Sequence, residues 1–204
     1  MKKNDEFEVT VTDMTDEGLG VGRHEGFTWF IKDSIVGDTV LCGVTKLKKT
    51  YGYARVIRVI SPSKDRIAPP CSVARQCGGC QIQQMSYEAQ LRLKEGKVRN
   101  ALIRLGGFSQ EAVDQVLEPI VPSEKQFRYR NKAQFPIGRD KAGRLSAGFY
   151  AGRTHDMIPC EDCLLGAEEN KTILRAILGW MEELRLEPYD ERTGRGLVRH
   201  VLIR

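Results

Sequence analysis

The chain has 204 residues, of which 41% are hydrophobic and 29% charged, and its formal net charge is +5. This composition is typical of a folded globular protein, and no apolar run approaches the roughly 20 residues that a membrane helix requires. The N-terminus passes from two lysines into acidic residues without the apolar core of a signal peptide. These features argue against a membrane protein and against export, so we expect a cytoplasmic chain with reduced cysteines.

The first 60 residues alternate between apolar and polar side chains in five short segments that are separated by turn residues. β-branched and aromatic residues fill the segments, as in half-buried strands. The pattern predicts an all-β, OB-like barrel of five strands that ends near Pro62, because proline cannot donate to a sheet. Cys42 lies within one predicted strand and is interpreted as a small buried hydrophobe. We therefore place a first domain at residues 1–62 and a second at residues 63–204.

Basic side chains are concentrated near the end of the predicted barrel. Residues 41–60 contain five basic and no acidic side chains, whereas residues 1–30 contain three basic and seven acidic ones. A local basic surface is typical of phosphate binding, although a solvated charged face is the commoner explanation of a single basic run. The candidate RNA contacts in this run are Lys46, Lys48 and Lys49.

The second domain is predicted to be mixed α+β. Ser86 can cap a helix whose apolar residues recur at helical spacing until a Gly-Gly pair ends it. A second helix is expected over residues 168–186, with an apolar stripe that belongs to the core. Between the helices, two strand-like segments flank a turn at Gly143, and a last strand-like segment runs to the C-terminus. Because no element follows that segment, we expect the domain to be incomplete and the natural sequence to continue.

Five of the six cysteines fall into two tight groups. Cys71, Cys77 and Cys80 lie within ten residues, and two glycines before Cys80 allow the backbone to approach a bulky ligand closely. Cys160 and Cys163 form the second group. Thiolates at such spacing favour zinc or an iron–sulfur cluster over hard cations. Two CxxC pairs suit structural zinc, whereas three clustered cysteines and one distant cysteine suit a cubane cluster, and a site without metal also stays open.

Four segments of the chain are similar to those of a known family. They are SPSKDRIAPPC, CGGCQIQQMSYEAQLRLKEGKVRNALIRLGG, FRYRNKAQFPIG and GFYAGRTHDMIPCEDC. Together they resemble bacterial RNA (uracil-5-)-methyltransferases of the RumA/RlmD and TrmA-like group, over nearly the whole chain. The predicted barrel looks like the TRAM domain of that family, which is an RNA-binding module. The resemblance implies a [4Fe–4S] cluster, S-adenosylmethionine as the methyl donor and 5-methyluridine in RNA as the product.

The resemblance also implies which cysteines hold the cluster. The implied ligands are Cys71, Cys77, Cys80 and Cys163. The family's fourth cysteine lies eight residues beyond a polar position after GFY, and that position is His155 here. Cys160 then becomes an additional cysteine near the cluster. Since methyl transfer requires no electrons, the cluster is expected to be a structural staple.

Enzymes of this family carry a C-terminal domain that binds S-adenosylmethionine and supplies a cysteine nucleophile and a glutamate base. Residues 164–204 contain no cysteine and no glycine-rich strand-to-helix turn. We therefore expect the catalytic domain to be absent and the chain alone to be inactive. The expected partner is RNA, ribosomal rather than transfer RNA, and the chain is expected to be monomeric.

The predicted strand between the two helices offers further candidate RNA contacts, three of which would share one strand face. These candidates are Arg128, Arg130, Asn131, Lys132 and Gln134. Two rival interpretations remain beside the enzyme. One is a stand-alone TRAM-type RNA-binding module, and the other is a zinc-stabilised interaction protein.

Overall fold

A computed structural model describes residues 1–152, Thr154 and 156–204. The chain divides into two compact units. The barrel unit contains Met1–Pro69 and Gln81–Ser123, and the sheet unit contains Pro70–Cys80 and Glu124–Arg204. The predicted boundary at residue 62 falls at the end of the barrel, but the division between the units differs from it. The linking segment and the first predicted helix group with the barrel, whereas the first cysteine loop groups with the sheet unit.

The five predicted strands of the first domain form a closed barrel in the order β1-β2-β3-β5-β4. Their bounds are β1 Glu6–Met14, β2 Gly20–His24, β3 Phe27–Lys32, β4 Thr39–Leu47 and β5 Tyr51–Ser61. β3 and β5 pair in parallel, and the other neighbours are antiparallel. The alternation seen in the sequence thus becomes an inner apolar face and an outer polar face.

The barrel core is centred on Trp29, which is 1% exposed. The ring of Phe7 packs against it with centroids 4.4 Å apart. Gly52 lies opposite Trp29 on β5, and a Cβ atom there would lie 2.3 Å from the indole ring, so only glycine fits. Cys42 is fully buried in the same core, as predicted, and burial raises the pKa of its thiol to about 12.

Two helices belong to the barrel unit. Helix α1 (Tyr87–Arg104) begins as predicted at Ser86, whose side chain accepts the Ala89 amide hydrogen at 3.3 Å. Ala89 and Met85 form a small core with Met14 and Ile35 of the barrel portion. The predicted apolar stripe is only partly buried. Two of its members, Val98 and Leu105, are 51% and 88% exposed. Helix α2 (Gln110–Val116) was not predicted.

A buried ion pair ties the end of the barrel to the segment that follows it. The carboxylate of Asp38 is fully buried. Arg66 Nε–H donates to both of its oxygens, at 2.9 and 3.1 Å, and Arg66 Nη2 donates to Oδ2 at 2.6 Å. It also accepts the backbone amides of Ile35 and Ser63 at 2.8 and 3.0 Å. Burial would raise the pKa of Asp38, but the Arg66 and backbone hydrogen bonds outweigh it, so the pKa lies below its ordinary value.

The sheet unit contains a four-stranded antiparallel sheet in the order β8-β7-β6-β9. Its elements are β6 Ala133–Arg139, β7 Leu145–Tyr150, β8 Met157–Pro159, helix α3 Glu169–Glu183 and β9 His200–Ile203. The predicted turn joins β6 to β7, with Gly143 at φ +79°. Leu174, Leu178 and Met181 of α3 pack on the sheet, as predicted, together with Phe135, Ile137, Ala147 and Val201. The short strand β8 was not predicted.

One strand prediction is wrong in a way that concerns the candidate RNA contacts. β6 begins at Ala133, so Arg130 and Lys132 precede it, and they do not share a strand face with Gln134. Arg128 has φ +59°, which interrupts an extended backbone. No helix among the described residues is long and apolar enough to cross a membrane.

Candidate metal centre and RNA-binding surfaces

The sheet unit brings the two cysteine groups together. The thiols of Cys71, Cys77, Cys160 and Cys163 interact electrostatically, and all four side chains are half-buried. Burial, with smaller contributions from Cys163, Cys71, Cys77 and Asp162, raises the pKa of Cys160 to about 12. Burial likewise raises the pKa of Cys77, and the Cys163 and Cys71 thiols add to the rise. Crowded thiols that resist ionisation become thiolates when a cation compensates their charge.

Backbone contacts hold Cys77 in place within the first cysteine loop, which carries Cys71, Cys77 and Cys80. The Gly79 amide donates to Cys77 Sγ at 3.4 Å, and a Cβ atom on Gly79 would also lie 3.4 Å from that sulfur. Cys77 is joined to Ala151 by an isolated β-bridge, which holds this part of the loop against the end of β7. Cys80 follows in the same loop and is half-buried. A cleft of about 490 Å³ opens beside Cys71 and Cys160.

Zinc and iron–sulfur clusters are the two kinds of metal centre that use cysteine thiolates as ligands. Among the described residues, no group of three or more His, Cys, Asp or Glu side chains is positioned to hold a metal ion. A single zinc ion would draw four thiolates to about 3.8 Å from one another, given Zn–S bonds of about 2.3 Å. A cubane cluster holds its thiolates farther apart, because each binds a different iron atom. Thiol donors suit either kind of centre, and the choice between an iron–sulfur cluster and zinc stays a prediction.

Arg128 holds the second cysteine group in place. Its Nη1 donates to Asp162 Oδ1 at 2.6 Å and to the carbonyl oxygens of Cys163 and Gly166, each at 3.2 Å. Its backbone amide donates to the carbonyl oxygen of Leu164 at 2.8 Å. The hydrogen bond from Arg128 is the main reason that the pKa of Asp162 lies below its ordinary value. Arg128 thus fixes the loop that carries Cys163.

The sequence does not reveal this role of Arg128, because its pattern predicts a strand on which Arg128 contacts RNA. Its charge is already compensated by Asp162, and an RNA contact by Arg128 stays a prediction. Arg130, Asn131, Lys132 and Gln134 are all exposed. His155, from which the fourth ligand was counted, lies outside the described residues. The choice between Cys163 and Cys160 therefore stays a prediction too.

The three predicted lysines of the barrel unit lie at one end of a hairpin. Lys46 belongs to β4, and Lys48 and Lys49 lie in the turn between β4 and β5. All three side chains are exposed. The turn is closed by a hydrogen bond from the Lys48 amide to the carbonyl oxygen of Tyr51 at 2.9 Å. Three ammonium groups at one hairpin suit contact with phosphates.

Comparisons with known proteins identify a family for the barrel and find relatives that match the whole chain. Residues 2–57 match the TRAM domain family model. An uncharacterized RNA methyltransferase of Clostridium tetani is 38% identical over all 204 residues, which cover 43% of that relative. Another from Halalkalibacterium halodurans is 42% identical over the same 204 residues, again 43% of its length. The chain thus spans less than half the length of the curated relatives it matches.

A solved structure supports the fold. The crystal structure of Pyrococcus abyssi tRNA (uracil-54, C5)-methyltransferase in complex with S-adenosyl-L-homocysteine matches with a TM-score of 0.66 and 20% identity. The match covers 95% of this chain and 42% of that protein. The structural match supports the fold. The family match shows that the barrel unit contains a TRAM domain, and the sequence matches show that the chain has relatives named RNA methyltransferases.

Proposed function

We propose that this chain is the RNA-binding and iron–sulfur part of an S-adenosylmethionine-dependent RNA (uracil-C5)-methyltransferase, which forms 5-methyluridine in 23S ribosomal RNA. The observation that carries the proposal is the match over all 204 residues to relatives named RNA methyltransferases. The TRAM barrel supports RNA binding, and the basic hairpin provides a surface for phosphates.

Methyl transfer to uracil C5 requires a nucleophile that adds to C6 and makes C5 electron-rich. Five of the six cysteines of this chain lie in the two predicted metal-binding groups, and the sixth, Cys42, is buried in the barrel core. Burial raises the pKa of the Cys42 and Cys160 thiols to about 12, which disfavours the thiolate form that a nucleophile needs. Because the 204 residues cover 43% of the length of these relatives, we assign methyl transfer and binding of S-adenosylmethionine to the part of them that this chain does not match.

The methyl-transfer assignment can be tested by tritium release from RNA labelled at uridine C5. Residues 1–204 alone should release no tritium in the presence of S-adenosylmethionine. A longer protein that contains the remaining length of the relatives should release tritium and form 5-methyluridine. Activity of residues 1–204 that disappears in Cys160→Ala would place the nucleophile in this chain and refute the assignment.

We further propose that Cys71, Cys77, Cys80 and Cys163 hold a [4Fe–4S] cluster. When bound, the cluster would supply a covalent cross-link between the two cysteine segments and no electrons for methyl transfer. The proximity of the thiols and the Gly79 amide that donates to Cys77 support this assignment. Arg128 would then orient the loop of the fourth ligand through the Cys163 carbonyl.

Serine variants test the ligand set. The chain purified without oxygen should be brown and contain about four iron and four sulfide ions per molecule. Cys163→Ser should lose both, whereas Cys160→Ser, three residues away on the same loop, is the matched control and should retain them. The reverse result would show that Cys160, and not Cys163, is the fourth ligand. One zinc ion per chain in place of iron would favour the zinc-stabilised protein instead.

RNA binding through the basic hairpin is tested by salt dependence. Replacing Lys46, Lys48 and Lys49 by glutamine should weaken binding to all RNA sequences and reduce the slope of log affinity against log salt by about 0.7 for each phosphate that is no longer bound. The same exchange at Arg130 and Lys132 tests the proposed contacts of the sheet unit. If the triple lysine variant binds RNA at low salt as tightly as the parent, the hairpin is not part of the RNA-binding surface.

A further inference from the structure

Three aromatic rings form a cluster on the outside of the barrel. Phe30 of β3 and Tyr51 and Tyr53 of β5 have ring centroids 5.5 to 5.7 Å apart. Successive side chains of a strand point to opposite faces, and the residues next to these rings, such as Trp29 and Gly52, are buried in the core. The three rings therefore point away from the core. The rings are half-buried and do not belong to the barrel's hydrophobic core. We call this cluster the aromatic face.

The aromatic face is surrounded by positive charge. In the strand register, Phe30 pairs with Tyr53, and the next pair on the same side is Lys32 with Arg55. Lys46 of β4 pairs with Tyr53 from the other side. Arg23 of β2 pairs with Thr28, which in turn pairs with Tyr51. These basic side chains are exposed, and no acidic residue occupies any of these paired positions.

Rings surrounded by cations match the chemistry of one kind of ligand. Single-stranded nucleic acids offer flat bases that stack on aromatic side chains and phosphates that pair with lysine and arginine. Bases inside a duplex are already stacked on one another and are not available to side chains. An acidic peptide would use the charges but would leave the rings without a stacking partner.

We propose that the aromatic face binds unpaired RNA bases by stacking, while Lys32, Lys46 and Arg55 contact the flanking phosphates. The inference rests on the proposed RNA-binding function and assigns to it a substrate class, which is unpaired rather than duplex RNA. Stacking is largely independent of sequence, because every base has a π face. The aromatic face would therefore hold an unpaired strand without selecting the modified uridine.

The test compares two double variants of the full chain. Tyr51→Leu with Tyr53→Leu removes two rings and keeps apolar bulk, whereas Tyr51→Phe with Tyr53→Phe keeps both rings. The probe is a single-stranded RNA of about ten nucleotides, within the size that one OB-type barrel covers. It carries 2-aminopurine, whose fluorescence is quenched on stacking, and a duplex of equal length serves as competitor. Phe108→Leu removes a ring that is 54% exposed elsewhere in the barrel unit and is the matched control.

The parent chain, the phenylalanine pair and Phe108→Leu should bind the single strand alike, quench 2-aminopurine and prefer the single strand to the duplex. The leucine pair should bind roughly 5- to 150-fold more weakly for each base that no longer stacks, with little quenching. Its salt slope should equal that of the parent, because every phosphate-binding side chain is retained.

The outcomes separate this inference from the function on which it rests. If the parent binds no RNA, both fail. If the leucine pair binds and quenches like the parent, RNA binding stands and the aromatic face is refuted. If the leucine pair loses binding only in proportion to the fraction that is unfolded by circular dichroism, the rings serve the fold, and the inference is again refuted.

Discussion

Replacing Asp38 by asparagine should destabilise the barrel unit by about 3 kcal/mol. The Asp38 carboxylate is fully buried and the Arg66 side chain is 18% exposed, so the substitution leaves a mostly buried guanidinium without its counter-ion. Breaking a buried pair in this way costs about 3–5 kcal/mol. We take the lower end, because Arg66 keeps some contact with water and a hydrogen bond to the Asp33 carbonyl at 3.0 Å.

Urea unfolding followed by Trp29 fluorescence measures this cost. Trp29 is 1% exposed in the barrel, whereas Trp180 is 51% exposed in α3, so a Trp180→Phe background isolates the signal of the barrel. With a urea dependence of about 1–3 kcal/mol per molar, the midpoint should fall by about 1–3 M. The matched control is Arg92→Gln, which breaks an ion pair with Asp65 where Arg92 is 60% exposed. That pair should contribute at most about 1 kcal/mol.

The same variant should change how stability depends on pH. The pKa of Asp38 is lowered in the folded state, so the unfolded chain binds its proton more readily. The stabilisation from Asp38 is therefore complete above the unfolded pKa of about 3.9 and is lost as the pH falls through the lower folded pKa. Asp38→Asn lacks this contribution and should lose less stability than the parent as the pH falls below about 4. An Asp38→Asn midpoint equal to that of Arg92→Gln, or an unchanged acid profile, would refute the role assigned to the pair.

Other substitutions test the packing of both units. Gly52→Ala should destabilise the barrel by about 1–3 kcal/mol in the same Trp29 assay, since its Cβ atom would press on the indole ring. Gly179→Ala in α3, where the new Cβ would meet no atom within 4 Å, should instead stabilise by about 0.5–1 kcal/mol, seen as a higher melting temperature by circular dichroism. Cys42 should resist iodoacetamide at pH 8 until the barrel unfolds, because its thiol is buried with a pKa of about 12, and mass spectrometry of the labelled peptide would show early modification if the barrel opens locally.

The sequence predicted the elements with strong periodicity. All five barrel strands, α1 and α3 follow from alternation or helical spacing, and the Ser86 cap and the Gly143 turn follow from local chemistry. α2 has seven residues and β8 only three, and such short segments carry too little periodicity to detect.

The candidate sites were predicted less completely, because contacts distant in sequence decide them. The cysteine spacing identified two groups, but only the fold shows that the Cys160 thiol lies near those of Cys71 and Cys77. Arg128 stands in a run that alternates like a strand, and its positive φ and its contacts with the 162–166 loop leave no trace in that pattern. The aromatic face could have been found, since FTWF and YGY place rings on alternate positions opposite a core tryptophan and glycine.

The position of Arg66 limits how far the barrel is a transferable module. The TRAM match ends at residue 57 and β5 ends at Ser61, so the residue that neutralises the buried Asp38 lies downstream of every barrel strand. A fragment of residues 1–62 would retain the complete sheet and yet bury an uncompensated carboxylate. Transplanting this barrel into another protein therefore requires the chain up to at least Arg66, or a prior exchange of Asp38 for an uncharged residue.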